Sequence, residues 1–468
     1  MAATVHLDVL GPSGVFRSHR TQPVTSVGGE ELAELSLVPG LYVKRSVAKL
    51  RRAHPLSGPE RIAALAAAGR QFLGTVDGVS LDEHERRVSL SSGVALPVVR
   101  AASQAIARGA AEAGASVGCA RPRGTSESWS AVRSSGSVWT RRGEVLAVQA
   151  SGNHPATHAA WIEALALGYR VAVRPSSREP FTPGRLVRAL QDCGFGADQV
   201  AFLPTDHMVA RELVDTADLG LVYGGADVVA RYRNRGDVLV QGPGRSKVLL
   251  ADGRWPDHVD TVVDSVAGFG GTACVNASAV LVQGDAAAFA KELARRLGEI
   301  AILPPTSEHA VLPAFPLGRG RALEAHLISE LKGAELISDA GLLAPLPDGG
   351  AVLRPAVILL DSARAPQLGV ELPFPCVWVA PWSPVDGLEP LRGSLTVTAI
   401  TGDEELLASL ADDNTIGNLH IGDHPTHEMR PGLPHDGHLS EFLMRSKTVI
   451  RDLTYDCDGL PIREDKEC

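Results

Sequence analysis

The sequence of 468 residues predicts an α/β protein built on parallel sheets. The main sign is the alternation between residues 144 and 223, where short apolar runs trade places with helical ones. Those apolar runs carry no polar alternation, as expected of strands covered by helices on both faces. The chain is also too long for one hydrophobic core and should divide into two or three domains.

In order along the chain, the first 50 residues read as short strands and turns. VHLDVL alternates, GPSG breaks it, and residues 23–38 resemble a hairpin leading into a small lobe. From Ser57 to about Leu81, SGPERIAALAAAGRQFLG reads as a capped amphipathic helix ending near Gly74. Residues 94–115 give a second long helix with small residues along one side. Then EVLAVQA is a strand, HAAWIEALALG a helix, YRVAVRP a strand and TPGRLVRALQDCG a helix. QVAFLP (strand), HMVARELVDTA (helix) and LGLVYGG (strand) complete the block. A second α/β block begins near Lys247 and runs to about residue 440, and the Pro- and Gly-rich stretch 341–355 reads as a surface excursion within it.

Composition narrows the function classes. Apolar content of 44% and charged content of 21% suit a soluble globular enzyme. A net charge of −9 argues against nucleic acid or an anionic membrane surface as the main partner. Cys119, Cys193, Cys274, Cys376, Cys457 and Cys468 are dispersed, with no CxxC pair and no metal-ligand spacing, so no metal is expected. That pattern fits a reducing cytoplasm. The first residues lack a signal peptide's basic head and apolar core, and no apolar run reaches the ~18–20 residues that span a bilayer.

The most informative stretch is FGGTACVNAS (269–278). Gly270 and Gly271 allow a tight turn and close approach to a ligand. A thiol at Cys274, partly exposed and near backbone N–H groups, meets the conditions for a reactive thiolate, although many free cysteines are inert core fillers. No G-x-G-x-x-G fingerprint follows any strand. In its place, VRPSS (173–177) and VYGGA (222–226) stand at strand ends, where open parallel sheets bind dinucleotides. Gly224 and Gly225 could cradle an anion before a helix or simply close a βα turn.

These segments, in this order, resemble the aldehyde dehydrogenase superfamily over most of residues 130–455. GNHP (152–155) resembles the family's Asn-x-Pro, and ALALGYRVAVRPSS its Ala-Leu-x-x-Gly-Asn-x-Val-x-x-Lys-Pro-Ser segment. VYGGADVVARY resembles its Phe-Thr-Gly-Ser turn and helix, FGGTAC its Gly-x-x-Cys nucleophile turn with Ser278 four residues on, and VELPFP (370–375) its Glu-x-Phe-Gly-Pro element. SKTVI (446–450) resembles the closing strand of its oligomerisation lobe.

The resemblance implies two parallel-sheet α/β domains and a small β lobe. Residues 1–118 and 143–246 would form the N-terminal segment and dinucleotide domain, 247–440 the catalytic domain bearing Cys274, and 119–142 with 441–468 the lobe of a homodimer or homotetramer. Cys274 would attack a carbonyl carbon, and Asn153 with the Cys274 N–H would form the oxyanion hole. Arg174 takes the family's lysine position beside Ser176 and Ser177, Gly224 and Gly225 would lie against the pyrophosphate, and Glu371 would hold the nicotinamide ribose. Read without the family, Asn153 could be an Asx turn and Glu371 a solvated charge.

Departures from the family point further. Hydrolytic members carry a glutamate in Glu-Leu-Gly-Gly-Lys; here the segment reads VQGPGRSK (240–247), placing Val240 or Gln241 at that position. Neither side chain accepts a proton at neutral pH. The segment resembles instead the acylating branch, the acyl-thioester (acyl-CoA) reductases. A coenzyme A or pantetheine thiol would then be co-substrate, and an acyl carrier protein or partner enzyme could deliver it, docking at Arg231, Arg233 and Arg235. Ser177 stands where many NAD-using members place a glutamate, and with Arg174 and Arg178 beside it NADP(H) is expected over NAD(H). The alternatives are a hydrolytic aldehyde dehydrogenase with His154 or His258 as base, an acyl-phosphate reductase, and a non-catalytic subunit of a complex.

Overall fold

The computed structural model describes residues 5–132, 135–337, 340–430 and 432–450, with the strands Thr454–Tyr455 and Pro461–Ile462. Two seven-stranded sheets dominate it. The first runs, in spatial order, Val238–Gln241, Leu219–Tyr223, Val145–Gln149, Arg170–Arg174, Val200–Phe202, Val9–Gly11 and Gly14–Phe16. Its first five strands pair parallel, with Gln149 opposite Arg174 and Tyr223 opposite Gln241; the last two add antiparallel. The four strands read from the apolar runs are parallel members of this sheet, and the fifth, Val238–Gln241, is unanticipated.

The second sheet runs Ala334–Ile337, Ala356–Leu360, Cys376–Pro381, Ala277–Val282, Ser246–Leu250, Thr396–Ile400 and Asn418–Ile421. All pairs are parallel except the antiparallel edge strand Ala334–Ile337. Ala277–Val282 is buried at every position, because apolar side chains cover both of its faces. A small third sheet pairs Met444–Ile450 antiparallel with Ser135–Arg141, beside Thr125–Ser126. The Tyr169 hydroxyl ties it to the first sheet, donating to Leu443 O at 2.5 Å and accepting from the Arg142 and Gly143 N–H groups.

Helix Gly58–Phe72 begins at the Ser57/Glu60 capping box and ends just before Gly74, as its sequence predicts. The second long helix runs Leu96–Ala120, and its buried stripe of Ala102, Ala107, Ala110 and Ala113 lets the two helices approach closely. A Cβ on Gly69 would stand 2.7 Å from Ala107 O.

Two expectations are corrected and one helix is added. Residues 40–52 are a helix, and not strands and turns: Val43, Val47 and Leu50 recur at helical spacing and are buried against the first sheet. An unanticipated helix, Leu81–Ser92, starts at the Ser80 cap and stops at Gly93 in the left-handed region. The stretch 341–355 is not a surface excursion: Leu343–Pro345 and Gly350–Leu353 pair antiparallel, and Gly350 to Leu353 are all buried. Its prolines and glycines mark tight turns between packed strands. Cys457, Cys468 and most of 451–468 lie outside the described residues. Among the described residues no helix is long and apolar enough to cross a membrane.

Candidate active site

The candidate residues meet between the carboxyl ends of the first sheet's parallel strands and the amino ends of the second sheet's central strands. Asn153 follows strand Val145–Gln149; Cys274, Glu371 and Arg245 precede strands Ala277–Val282, Cys376–Pro381 and Ser246–Leu250. The gap is bridged by the Asn153 side-chain amide, which donates to Thr272 O at 2.8 Å, while the Ser151 hydroxyl donates to Asn153 Oδ1. One N–H of the Asn153 amide remains beyond that bond.

The cysteine turn is held in an uncommon conformation. Gly270 (φ 71°) and Gly271 (φ 65°) are left-handed, and so is Phe269 (φ 51°), where a side chain makes this costly. A Cβ on Gly271 would meet Pro375 N at 2.5 Å. The Phe269 ring is fixed edge-on by His154 at 5.4 Å and His427 at 4.8 Å. Asn276 closes the loop, accepting from Ala273 N and donating to Gly268 O at 2.7 Å.

Cys274 itself is half-buried. Its carbonyl accepts from Ser246 Oγ at 3.0 Å, and a Cβ on Gly244 would stand 1.7 Å from that same oxygen. Burial, then the negative charges of Glu371 and Asp436, push the thiol up to about 12; the backbone N–H groups of Cys274 and Val275 act the other way. The expected ready thiolate is therefore corrected. At neutral pH the side chain is a thiol that needs a proton acceptor, because burial and two carboxylates outweigh two amides. The nearest partner is His435, whose Nε2 lies 3.9 Å from Sγ.

Glu371 Oε2 accepts from Arg245 N at 2.6 Å, so the carboxylate is fixed and is not a solvated surface charge. Burial raises its pKa against the Arg245 and Gly244 amides and the Arg245 and Lys247 charges. Lys247 donates to Ser394 Oγ and Arg245 O, and burial chiefly lowers its pKa to about 8.

Across the gap, buried Arg174 donates to Thr205 O at 3.3 Å, while Arg174 Nε and Thr205 Oγ1 are buried without partners. A Cβ on Gly225 would meet nothing within 4 Å, so its backbone is open to a ligand, whereas a Cβ on Gly224 would stand 2.5 Å from the Val228 side chain. Unpaired polar groups after one strand and an open glycine after another, both at the carboxyl edge of a parallel sheet, fit the phosphates and ribose hydroxyls of a dinucleotide. Ser176 Oγ accepts from Arg178 N at 3.2 Å, and Ser177 is half-buried beside it.

Arg178 is committed elsewhere: it donates to Ser92 O and lies over the Phe315 ring at 5.8 Å. It therefore adds nothing to the case for a 2′-phosphate. The expected basic patch is also reduced, since Arg235 is paired with Asp215 and Asp237. Neither histidine weighed as a base is well placed. His258 has one nitrogen on Asp252 at 2.9 Å and the other on Asp423 at 3.2 Å. His154 is buried, its pKa lowered to about 4 by desolvation, and Nδ1 accepts from Ala156 N. Among the described residues no three of His, Cys, Asp and Glu are grouped to hold a metal.

Sequence reasoning missed His435, Asp436, Gly244 and Asn276. Only the Pro- and Gly-rich setting of PGLPHDGH hinted at a loop carrying titratable groups, 161 residues from Cys274.

The same architecture occurs in solved structures. An aldehyde dehydrogenase from Brucella melitensis biovar abortus 2308 matches with a TM-score of 0.79 at 15% identity, covering 96% of this chain and 99% of that one. Indole-3-acetaldehyde dehydrogenase complexed with NAD+ matches at 0.80 and 15%, covering 96% and 98%. An NADP-dependent enzyme of E. coli matches at 0.78 and 16%, covering 95% and 98%. No curated protein sequence matches the chain. The model of the aldehyde dehydrogenase family, whose members are NAD(P)-dependent oxidoreductases of aldehydes, matches residues 145–439, well over half of the sequence, and the chain belongs to that family.

Proposed function

We propose that this protein interconverts an aldehyde and an acyl thioester, with Cys274 carrying the acyl group and a coenzyme A or pantetheine thiol, and not water, as acyl partner. One observation carries the reading: the turn at 241–245, packed against Cys274 through Gly244, contains no carboxylate. At the position of the hydrolytic base stands Val240 or Gln241, in register with Val222 and Tyr223 in the first sheet, and neither can take a proton from water.

In this reading Cys274 Sγ bonds to the carbonyl carbon, and the charge arising on oxygen is met by the Cys274 N–H and the Asn153 amide, oriented in advance by Thr272 O and Ser151. The nicotinamide, when bound, supplies or accepts the hydride. Arg174, Ser176, Ser177, Gly224 and Gly225 hold the dinucleotide, and Glu371, fixed by Arg245 N–H, orients its nicotinamide ribose. Ser177, with no carboxylate to repel a 2′-phosphate, supports NADP(H). Residues 1–118 with 143–246 are the dinucleotide domain, 247–440 the catalytic domain, and 119–142 with 441–468 the lobe that joins a homodimer or homotetramer in a reducing cytoplasm. The 3.9 Å approach of His435 favours one second reading, hydrolysis with His435 activating water.

Product analysis tests the two. Aldehyde and oxidised dinucleotide supplied with coenzyme A should yield acyl-CoA, and turnover should fall at least ~10-fold without the thiol. A carboxylic acid formed at the same rate with or without coenzyme A would establish hydrolysis.

A further inference from the structure

We propose that His435 takes the Sγ proton of Cys274 as the cysteine attacks and returns it to the leaving thiol, so that the site works as a cysteine–histidine pair. This rests on the reading of Cys274 as nucleophile; the proton uptake from Sγ is independent of whether thiol or water receives the acyl group, and its return to a leaving thiol applies to an acyl thioester substrate.

The geometry places the imidazole there deliberately. His435 lies in the loop 432–438, whose position is fixed from the second sheet: Asn418, on its edge strand, donates one side-chain N–H to His435 O and another bond to Leu395 O at 3.0 Å. The ring is half-buried with Nε2 facing Sγ at 3.9 Å, a distance that can tighten when substrate displaces water. The other titratable groups nearby cannot do the same work. Glu371 is held by Arg245 N–H, Lys247 by Ser394, and the Tyr223 hydroxyl donates to Thr157 O at 3.3 Å. Asp436, exposed beside the ring, raises the basicity of His435, while burial, the larger effect, and His420 lower it. A neutral imidazole at pH 7 is the form that accepts a proton.

The step balances without an added reactant. As the S–H bond breaks, its proton goes to the Nε2 lone pair; the sulfur pair forms the S–C bond and the carbonyl π pair moves onto oxygen. With an acyl thioester as substrate, collapse of that adduct breaks the bond to the departing sulfur, which takes the proton from the imidazolium. No group is oxidised or reduced in this exchange.

The test is the pH profile of Cys274 alkylation by iodoacetamide, followed by peptide mass so that other thiols do not count. In the native protein the rate should rise as His435 loses its proton, at or below the ordinary histidine range, and hold a plateau through neutrality. In His435→Gln the plateau should vanish, with a fall of at least ~10-fold at pH 7, and the two rates should converge as pH nears the thiol's own high pKa. A structural role would lower the rate by one constant factor at every pH, and that parallel profile would overturn the proposal. Asp436→Asn, which keeps the ring, should retain the plateau and move its lower edge to more acidic pH; an edge that does not move would also count against His435. Acyl-acceptor specificity is not read by this assay, so its failure and that of the thioester reading are distinct.

Discussion

Replacing Cys274 with alanine should lower turnover of aldehyde or acyl thioester by at least ~10⁴-fold, because the covalent route disappears while its supporting donors remain. Binding of the dinucleotide should persist. The groups offered to it, Arg174, Thr205 and the open Gly225, stand across the gap at the edge of the first sheet. Stability should change by no more than about 1 kcal/mol, since the side chain is half-buried and its carbonyl contacts survive the change. Steady-state kinetics with a dinucleotide-binding titration checks both halves. Retained turnover would move the nucleophile elsewhere, and the other described cysteines are poor substitutes. Cys376 is buried in the core, Cys193 packs against the first sheet's cluster, and Cys119 is exposed on helix Leu96–Ala120.

The second large effect is expected at Gly244→Ala, a residue that contacts no substrate in this account. The added methyl would sit 1.7 Å from Cys274 O and 3.0 Å from its Cα, both backbone atoms in a loop already fixed by Ser246, Asn276 and Pro375. Something must move by an ångström or more. A displacement of that size at a reacting group costs ~10²-fold, and overpacking costs about 1–3 kcal/mol of stability. The variant should therefore show kcat/KM reduced ~10²-fold and a lower Tm. Gly225→Ala, at an open position, makes a useful contrast: its Tm should stay near native while dinucleotide KM rises. Equal behaviour of the two variants would mean that Gly244 does not set the position of Cys274.

How much of this was legible beforehand follows from where each signal lies. The parallel sheets could be read because each buried strand is a local apolar run bounded by a local turn, as in EVLAVQA or YRVAVRP. Helix Gly58–Phe72 announced itself through Ser57 and Glu60, whereas Gly40–Arg52 follows Pro39 without a side-chain cap, and its apolar spacing was overshadowed by the strand-like residues before it. Residues 341–355 misled because proline and glycine mark turns whether those turns lie on the surface or connect packed strands. Within the site, Cys274, Asn153 and Glu371 were recognisable by motif. Their energetics were not, since burial, and then the charges of Glu371 and Asp436, push the thiol up, and all three are set by tertiary packing. His435 was out of reach for the same reason: its relation to Cys274 exists only once Asn418 pins its loop to the second sheet.

The central claim is that the acyl group on Cys274 leaves to a thiol. Its most direct measurement is the lifetime of that acyl-enzyme by intact mass, after a single turnover of aldehyde with oxidised dinucleotide and no thiol present. The account predicts an adduct of the acyl mass on Cys274 that persists for many turnover times and is discharged at once, as acyl-CoA, when coenzyme A is added. An adduct that decays to the carboxylic acid within one turnover time, at a rate unchanged by coenzyme A, would contradict it.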